Sequence, residues 1–195
     1  MALINVATRE IHCKIVYYGP GMCGKTTNLQ YIHNQVPQEV RGDLLSIATE
    51  TERTLFFDFL PLDLGKVRGF QTRFHLYTVP GQVLYERTRV AVLSGADGVV
   101  FVADSHRSKL QENVSSLREL AQNITRQNKK FAEFPLVLQY NKRDLPRELL
   151  LPVATLDHFL GATRLNWPRV EAVATTGQGV FETLRTISRA VISKL

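Results

Sequence analysis

The stretch Tyr17–Ile32, YYGPGMCGKTTNLQYI, sets Gly19, Gly21 and Gly24, with Pro20 and Lys25, between an apolar strand-like run and a helix-like one. Glycine loses more conformational freedom on folding than any other residue, so three of them within six positions mark a place where the backbone must stay bare. Gly19-Pro20-Gly21-Met22-Cys23-Gly24-Lys25-Thr26 reads G-x-x-x-x-G-K-[ST]. It follows a strand and opens a helix, the setting in which uncovered N–H groups wrap a polyphosphate and a helix N-terminus supplies fixed positive potential. Lys25 is expected to reach the β and γ phosphates and Thr26 to ligate Mg²⁺, with Met22, Cys23 and Thr27 as further nucleotide-binding residues. A tight glycine turn alone would leave Lys25 unexplained.

The surrounding chain predicts an α/β fold. Glu10–Tyr18, EIHCKIVYY, has Ile11, Cys13 and Ile15 at period two, and a helix is expected over 26–36, stopped by Pro37. Leu44–Ala48, Thr54–Leu60 and Thr72–Val79 read as strands, the last two joined by a turn around Gly65. Gly98–Asp104 and Pro135–Asn141 are continuous apolar runs, as expected of parallel strands buried on both faces. Between them, Leu110, Val114, Leu117, Ala121 and Ile124 form the stripe of an amphipathic helix within 106–130, capped by Asp104 or Ser105. Val180, Leu184, Ile187 and Val191 repeat that period near the C-terminus. Strands alternating with helices imply a mostly parallel sheet with helices on both faces, whose ligands lie beyond the strands' carboxyl ends.

Composition bounds the rest. The 195 residues, 44% apolar and 22% charged, suit one domain spanning 1–195 with a substantial core. No apolar run approaches the ~20 residues of a membrane span, and Arg9 and Glu10 sit where a signal sequence would be apolar, so a cytoplasmic protein without stable membrane insertion is expected. The net charge of +6 is scattered, without the basic helix or aromatic interleaving of a nucleic-acid binder. Cys13 and Cys23 have no metal spacing and read as a core thiol and a small loop residue. The terminal Ser193-Lys194-Leu195 spells a peroxisomal address, read here as the coincidental end of a helix.

Asn141-Lys142-Arg143-Asp144 follows the last buried strand. A carboxylate there accepts hydrogen bonds from the N1–H and exocyclic amine of guanine, whereas adenine presents an acceptor at N1. With the phosphate loop and NKRD the chain resembles the Ras-like small GTPases. TETERTLFFDFLPL, RFHLYTVPGQ and YNKRD make it look like the bacterial gliding-motility and cell-polarity GTPases, the MglA family. The resemblance covers nearly the whole chain and implies a small G-protein fold with one antiparallel edge strand, GTP/GDP and Mg²⁺ as cofactors, and a GTP-bound state that recruits polarity or motility effectors.

It also implies roles for particular residues. Asn141, Lys142 and Asp144 would hold the base, and Val173, Ala174 and Thr175 would form a third base-contacting loop with the Ala174 backbone at guanine O6. Gly81 would place its N–H at the γ-phosphate, Gln82 would orient the attacking water, and Thr54 would close onto Mg²⁺. Arg53 resembles an arginine finger supplied in cis, acting in catalysis with Gln82 and Lys25. A surface charge at Arg53 and a polar turn residue at Gln82 are the plainer readings. One departure concerns the metal: the position two before Pro80-Gly81, an aspartate in Ras-like proteins, is Thr78, with Asp58 on the neighbouring strand as a candidate substitute. Slow unassisted hydrolysis is therefore expected, and the rival readings are a GTP-holding scaffold and a P-loop ATPase or kinase. Finally, the strand over 54–60 is apolar on both sides. In the resembled fold it lies at the sheet edge, so either the chain covers it or a partner does. A GTPase-activating dimer of the roadblock-domain, MglB-like type is the partner the resemblance implies.

Overall fold

The computed structural model describes residues 2–47, 57–81 and 86–195. One sheet organises them, with strands β1 (Leu3–Asn5), β2 (Glu10–Tyr18), β3 (Leu45–Ile47), β4 (Phe57–Val67), β5 (Phe70–Thr78), β6 (Gly98–Asp104), β7 (Leu136–Asn141) and β8 (Arg169–Glu171). Its order is β3-β4-β5-β2-β6-β7-β8, with β1 paired antiparallel to the start of β2. The β2–β5, β2–β6, β6–β7 and β7–β8 pairings are parallel, whereas β4 runs against both β3 and β5. The α/β class with a mostly parallel sheet is thus as the sequence indicates.

Helices cover both faces. Helices α1 (Lys25–Gln35) and α6 (Val180–Ile192) pack Leu29, Ile32, Val180, Leu184, Ile187 and Val191 against one side. Helices α2 (Glu86–Leu93), α3 (Leu110–Arg126) and α4 (Val153–Leu160) pack on the other. A short helix α5 (Ala162–Leu165) leads to Trp167, which is buried in that second core edge-on to Phe131, ring centroids 5.1 Å apart. Every residue of β6 and β7 is buried, because two-sided helix cover leaves their faces no solvent. Among the described residues no helix is long and apolar enough to cross a membrane.

Several expectations change in detail. The strand expected over 54–60, described from Phe57 onward as β4, does not lie at the edge: β3 pairs it outside, and its Leu60 and Leu62 are buried beneath α1, while 54–56 lie outside the described residues. Its turn is not at Gly65. β4 continues to Val67, Arg68 (φ 50°) and Gly69 (φ 84°) make a two-residue hairpin turn whose positive φ values match strand twist, and Gly65 sits at a bulge between Asp63 and Lys66. The long helix starts later than 106, because Asp104 does not cap it. The carboxylate accepts the His106 N–H (2.9 Å) and pairs with Lys142, and a 3₁₀ turn, Arg107–Lys109, precedes α3.

The opposite face of β4–β5–β2 carries half-buried rings in series. Phe57 and Phe59 lie against Tyr77 at 6.0 and 4.9 Å, Phe59 against His75 at 5.7 Å, and His75 meets His12. The two imidazoles are 7° from coplanar, with Nδ1 of His12 2.9 Å from Nε2 of His75 and centroids 5.2 Å apart. The centroid separation exceeds the nitrogen separation by about twice a ring radius, so the rings meet in line through one shared N–H rather than stacking. Such a bond needs one nitrogen without a proton. Burial first, then the charges of His12 and Arg73, hold His75 below the ordinary imidazole value of 6.5. The unfolded chain therefore takes up a proton that folded His75 refuses, and stability should fall as pH drops below about 6.5. In urea unfolding at pH 7.5 and 5.5, His75→Phe should lose less stability on acidification than the wild type. Equal losses would remove His75 from the account.

Candidate functional site

The loops at the carboxyl ends of β2, β5, β6 and β7 converge. Gly24 caps α1 at φ 103°, and a Cβ there would stand 2.2 Å from Asn141 Nδ2, so the loop needs glycine both for its left-handed backbone and for this approach. Gly81 meets the same loop from β5, where a Cβ would lie 2.3 Å from the Gly21 nitrogen. Gly21 differs: among the described residues the nearest atoms to a Cβ there are those of Gly81 at 3.9 Å, an ordinary contact, so crowding does not require this glycine. Gly19, buried at the end of β2, completes the turn.

Lys25 is almost fully buried, with Nζ donating to the carbonyl oxygens of Gly19 (3.0 Å) and Pro20 (2.6 Å). These bonds hold the ammonium at the centre of the loop and offset its burial. The first turn of α1 carries no acidic residue, leaving the positive end of its dipole uncompensated. The Cys23 thiol lies 3.6 Å from Lys25 Nζ. Burial nonetheless pushes its pKa up, so it is a packed loop residue, as the sequence suggests.

Two cavities flank Met22, whose side chain is 91% exposed at the loop's tip. One, about 390 Å³, is lined by Lys25, Thr26, Ser46, Asp58, Thr78 and Gly81 among others. There Asp58 collects hydroxyls: Thr26 Oγ1 donates to Oδ2 (2.6 Å), Thr78 Oγ1 to Oδ2 (2.9 Å) and Ser46 Oγ to Oδ1 (2.7 Å), while the Asp58 N–H donates to Thr78 Oγ1 (2.8 Å). This hard-oxygen set suits Mg²⁺, which takes one or two carboxylates, phosphates and water rather than a full protein cage. No cluster of three metal-ligating His, Cys, Asp or Glu occurs among the described residues.

The other cavity, about 220 Å³, is lined by Gly24, Thr27, Asn141, Lys142, Asp144 and Val173–Thr175 with their neighbours. Asn141, buried at the end of β7, joins its walls: Nδ2 donates to Cys23 O (2.8 Å) and Oδ1 accepts from Ala174 N (2.9 Å). The Ala174 N–H assigned to guanine O6 by resemblance is thus donated to Asn141. Lys142, at φ 66°, pairs with the buried carboxylate of Asp104 at 2.6 Å. Arg143 ties the same loop to Glu171 (2.8 Å) and to Leu151 O (2.8 Å).

The structure therefore brings together the sequence-derived residues of the phosphate loop, Gly81, the NKRD loop and Val173–Thr175. Arg53, Thr54 and Gln82 lie outside the described residues. Sequence reasoning named Asp104 only as a helix cap, without its pairing to Lys142, and missed Ser46 and the hydroxyl role of Thr78. The only signal for Asp104 was its place at a strand's carboxyl end, and Ser46 and Thr78 act through a carboxylate on another strand.

A glycine loop at the N-terminus of α1 beside a cavity whose lining includes Asp144 is the layout of a P-loop domain of the small-GTPase class. The model of the ADP-ribosylation factor (Arf) family matches residues 1–191. The Mutual gliding-motility protein MglA of Myxococcus xanthus (strain DK1622) is 54% identical over 196 residues, covering 100% of this chain and 98% of the relative. The chain belongs to the Arf family and, within it, to the MglA group of small GTPases.

Proposed function

We propose that the protein is a GTP-operated switch of a cell-polarity or motility system: it holds Mg²⁺-GTP, cleaves it to GDP and phosphate, and binds effectors in the GTP form only. The observation that carries the nucleotide reading is the Asn141 bridge from Cys23 O to Ala174 N, which makes one continuous site of the phosphate and base cavities. The relative's name, a gliding-motility protein, supports the choice of system. A cytoplasmic protein recruited to a cell pole fits this reading, with a roadblock-domain activating protein of the MglB type as its regulator and the half-buried rings of β4 and β5 as a face for partners.

Within the site, Lys25 bonds the β and γ phosphates, and the N–H groups of Gly19, Gly21–Gly24 and Gly81 surround them. Asp144 reads the guanine edge, Asn141 and Lys142 support it, and Val173–Thr175 close over the base, which requires the Ala174 N–H to redirect from Asn141. Thr26 and Thr54 hold Mg²⁺, which when bound neutralises charge on the phosphate oxygens. Asp58 takes the part of the aspartate absent at Thr78: its carboxylate already sits on Thr26, and Thr78 orients it. That placement favours a hydrolysing switch over a scaffold. Gln82 orients water and Arg53 meets the transition state. Turning a 1:99 mixture of states into 99:1 takes about 5.5 kcal/mol of differential partner binding.

Calorimetry tests the reading. GTP and GDP should bind with magnesium while ATP does not compete. Equal competition by ATP would replace it with an ATPase or kinase. In the same titrations Asp58→Asn should raise the magnesium requirement by about 10- to 100-fold, the usual loss for a group that orients metal ligands. An unchanged requirement would remove Asp58 from the metal's surroundings.

A further inference from the structure

Gln139 lies two residues before Asn141 on β7, so both side chains leave the strand on the same face, one beneath the other. Asn141 reaches Cys23 O. Gln139 meets Asn28 of α1 in a reciprocal amide pair: Asn28 Nδ2 donates to Gln139 Oε1 (2.8 Å) and Gln139 Nε2 to Asn28 Oδ1 (2.9 Å). The second hydrogen of Asn28 Nδ2 goes to Gly24 O (2.9 Å), next in the chain to the carbonyl that Asn141 holds. The second hydrogen of Gln139 Nε2 goes to Thr183 Oγ1 (3.0 Å) on α6, whose hydroxyl donates to Gly179 O (2.7 Å). All three side chains are 0% exposed.

Every N–H and O–H of the three side chains is used; turning either amide over alone would set N–H against N–H and oxygen against oxygen across the pair, and turning Asn28 over would also set its oxygen against Gly24 O. The chain of bonds therefore has one arrangement. Its two ends are the backbone carbonyls of Gly24 and Gly179, the N-caps of α1 and α6, glycines with no side chain of their own to cap the helix. Gly24 heads the phosphate-binding helix. Gly179 closes the loop that carries Val173–Thr175, where Val173 bridges to Gln178. An apolar trio of the same shape would be about as stable, because replacing all partners of a buried hydrogen bond is nearly neutral. What apolar contacts lack is direction.

We infer that Asn28, Gln139 and Thr183 are positioning residues for nucleotide binding: a buried brace, separate from Asn141, that fixes the span between the phosphate loop and the base loops. This rests on the nucleotide reading above. A site whose two halves keep their spacing holds a ligand that must touch both, and misplacement by about an ångström costs up to about 100-fold.

The test uses the full chain loaded with N-methylanthraniloyl-GDP. The triple variant Asn28→Leu, Gln139→Leu, Thr183→Val should release it about 10- to 100-fold faster than wild type, with an unfolding midpoint in the absence of nucleotide close to wild type, since bound nucleotide would itself raise the midpoint of the tighter binder. A lower midpoint with wild-type release would make the trio merely structural and overturn the brace while leaving the nucleotide reading intact. Wild-type protein that fails to retain the nucleotide would overturn that reading, and the brace with it. If the triple variant does not fold, Thr183→Val and Thr183→Ser decide: the valine variant should release faster and the serine variant, which keeps the hydroxyl, at the wild-type rate. Equal release from both would overturn the inference.

Discussion

Arg53→Ala is expected to slow single-turnover GTP cleavage by about 10³- to 10⁵-fold, roughly 4 to 7 kcal/mol of barrier, while GTP and GDP affinities stay within a few-fold of wild type. Phosphoryl transfer asks the protein for little covalent chemistry. It asks for an oriented water and for positive charge where the leaving oxygens become more negative. On the proposed reading Lys25 and the loop amides neutralise the phosphates in the ground state, so a guanidinium engaged only in the transition state would alter rate and not binding. Quenched-flow cleavage of GTP, with and without an activating protein, gives the first quantity and calorimetry the second. Equal rates in the two proteins would reduce Arg53 to a surface charge. A parallel loss of affinity would instead make it a ground-state phosphate ligand.

Asp144→Asn should abolish the preference for guanine, with GDP affinity falling by a factor on the order of 10³ or more and ATP gaining nothing. On the proposed reading the carboxylate accepts from both the N1–H and the exocyclic amine of guanine. An amide in its place accepts one bond and turns an N–H toward the other donor. The same amide suits a base with a carbonyl at that position, so xanthosine diphosphate should bind the variant better than GDP does. The cavity wall supports so large an effect, because the loop bearing Asp144 is fixed by Lys142 on Asp104 and by Arg143 on Glu171 and Leu151 O, and cannot recoil to let water substitute. Unchanged guanine preference in the variant would mean that the base is read elsewhere.

The sequence carried the site's ends more clearly than its middle. Gly19–Thr26 and Asn141–Asp144 are local patterns, each read from adjacent residues, and the structure sets both at the mouths of the strands that precede them. The long amphipathic stripe of α3 and the buried runs β6 and β7 were equally legible, because period and length agree. Short elements were not. β1 and β8 have three residues each and exist by pairing with β2 and β7, contacts that no local period announces. The turn at Arg68-Gly69 was mistaken for one at Gly65, since a bulge glycine and a turn glycine look alike in a sequence. Asp58, a lone carboxylate on an apolar strand in the sequence, gains a specific role only through Thr26, Ser46 and Thr78, which surround it in the fold. The Asn28–Gln139 pair joins residues 111 positions apart, and a polar side chain within a buried strand is ambiguous until its partner is seen.

Trp167 is the chain's single tryptophan, and it sits against Phe131 in the core beneath α3 and α4, lining neither the phosphate nor the base cavity. Its near-ultraviolet emission is therefore a spectroscopic report on the integrity of that half of the molecule, insensitive to exchange of one nucleotide for another. A labelled nucleotide and this indole give two optical channels in one cuvette, and loss of ligand can be told from loss of fold without altering a residue.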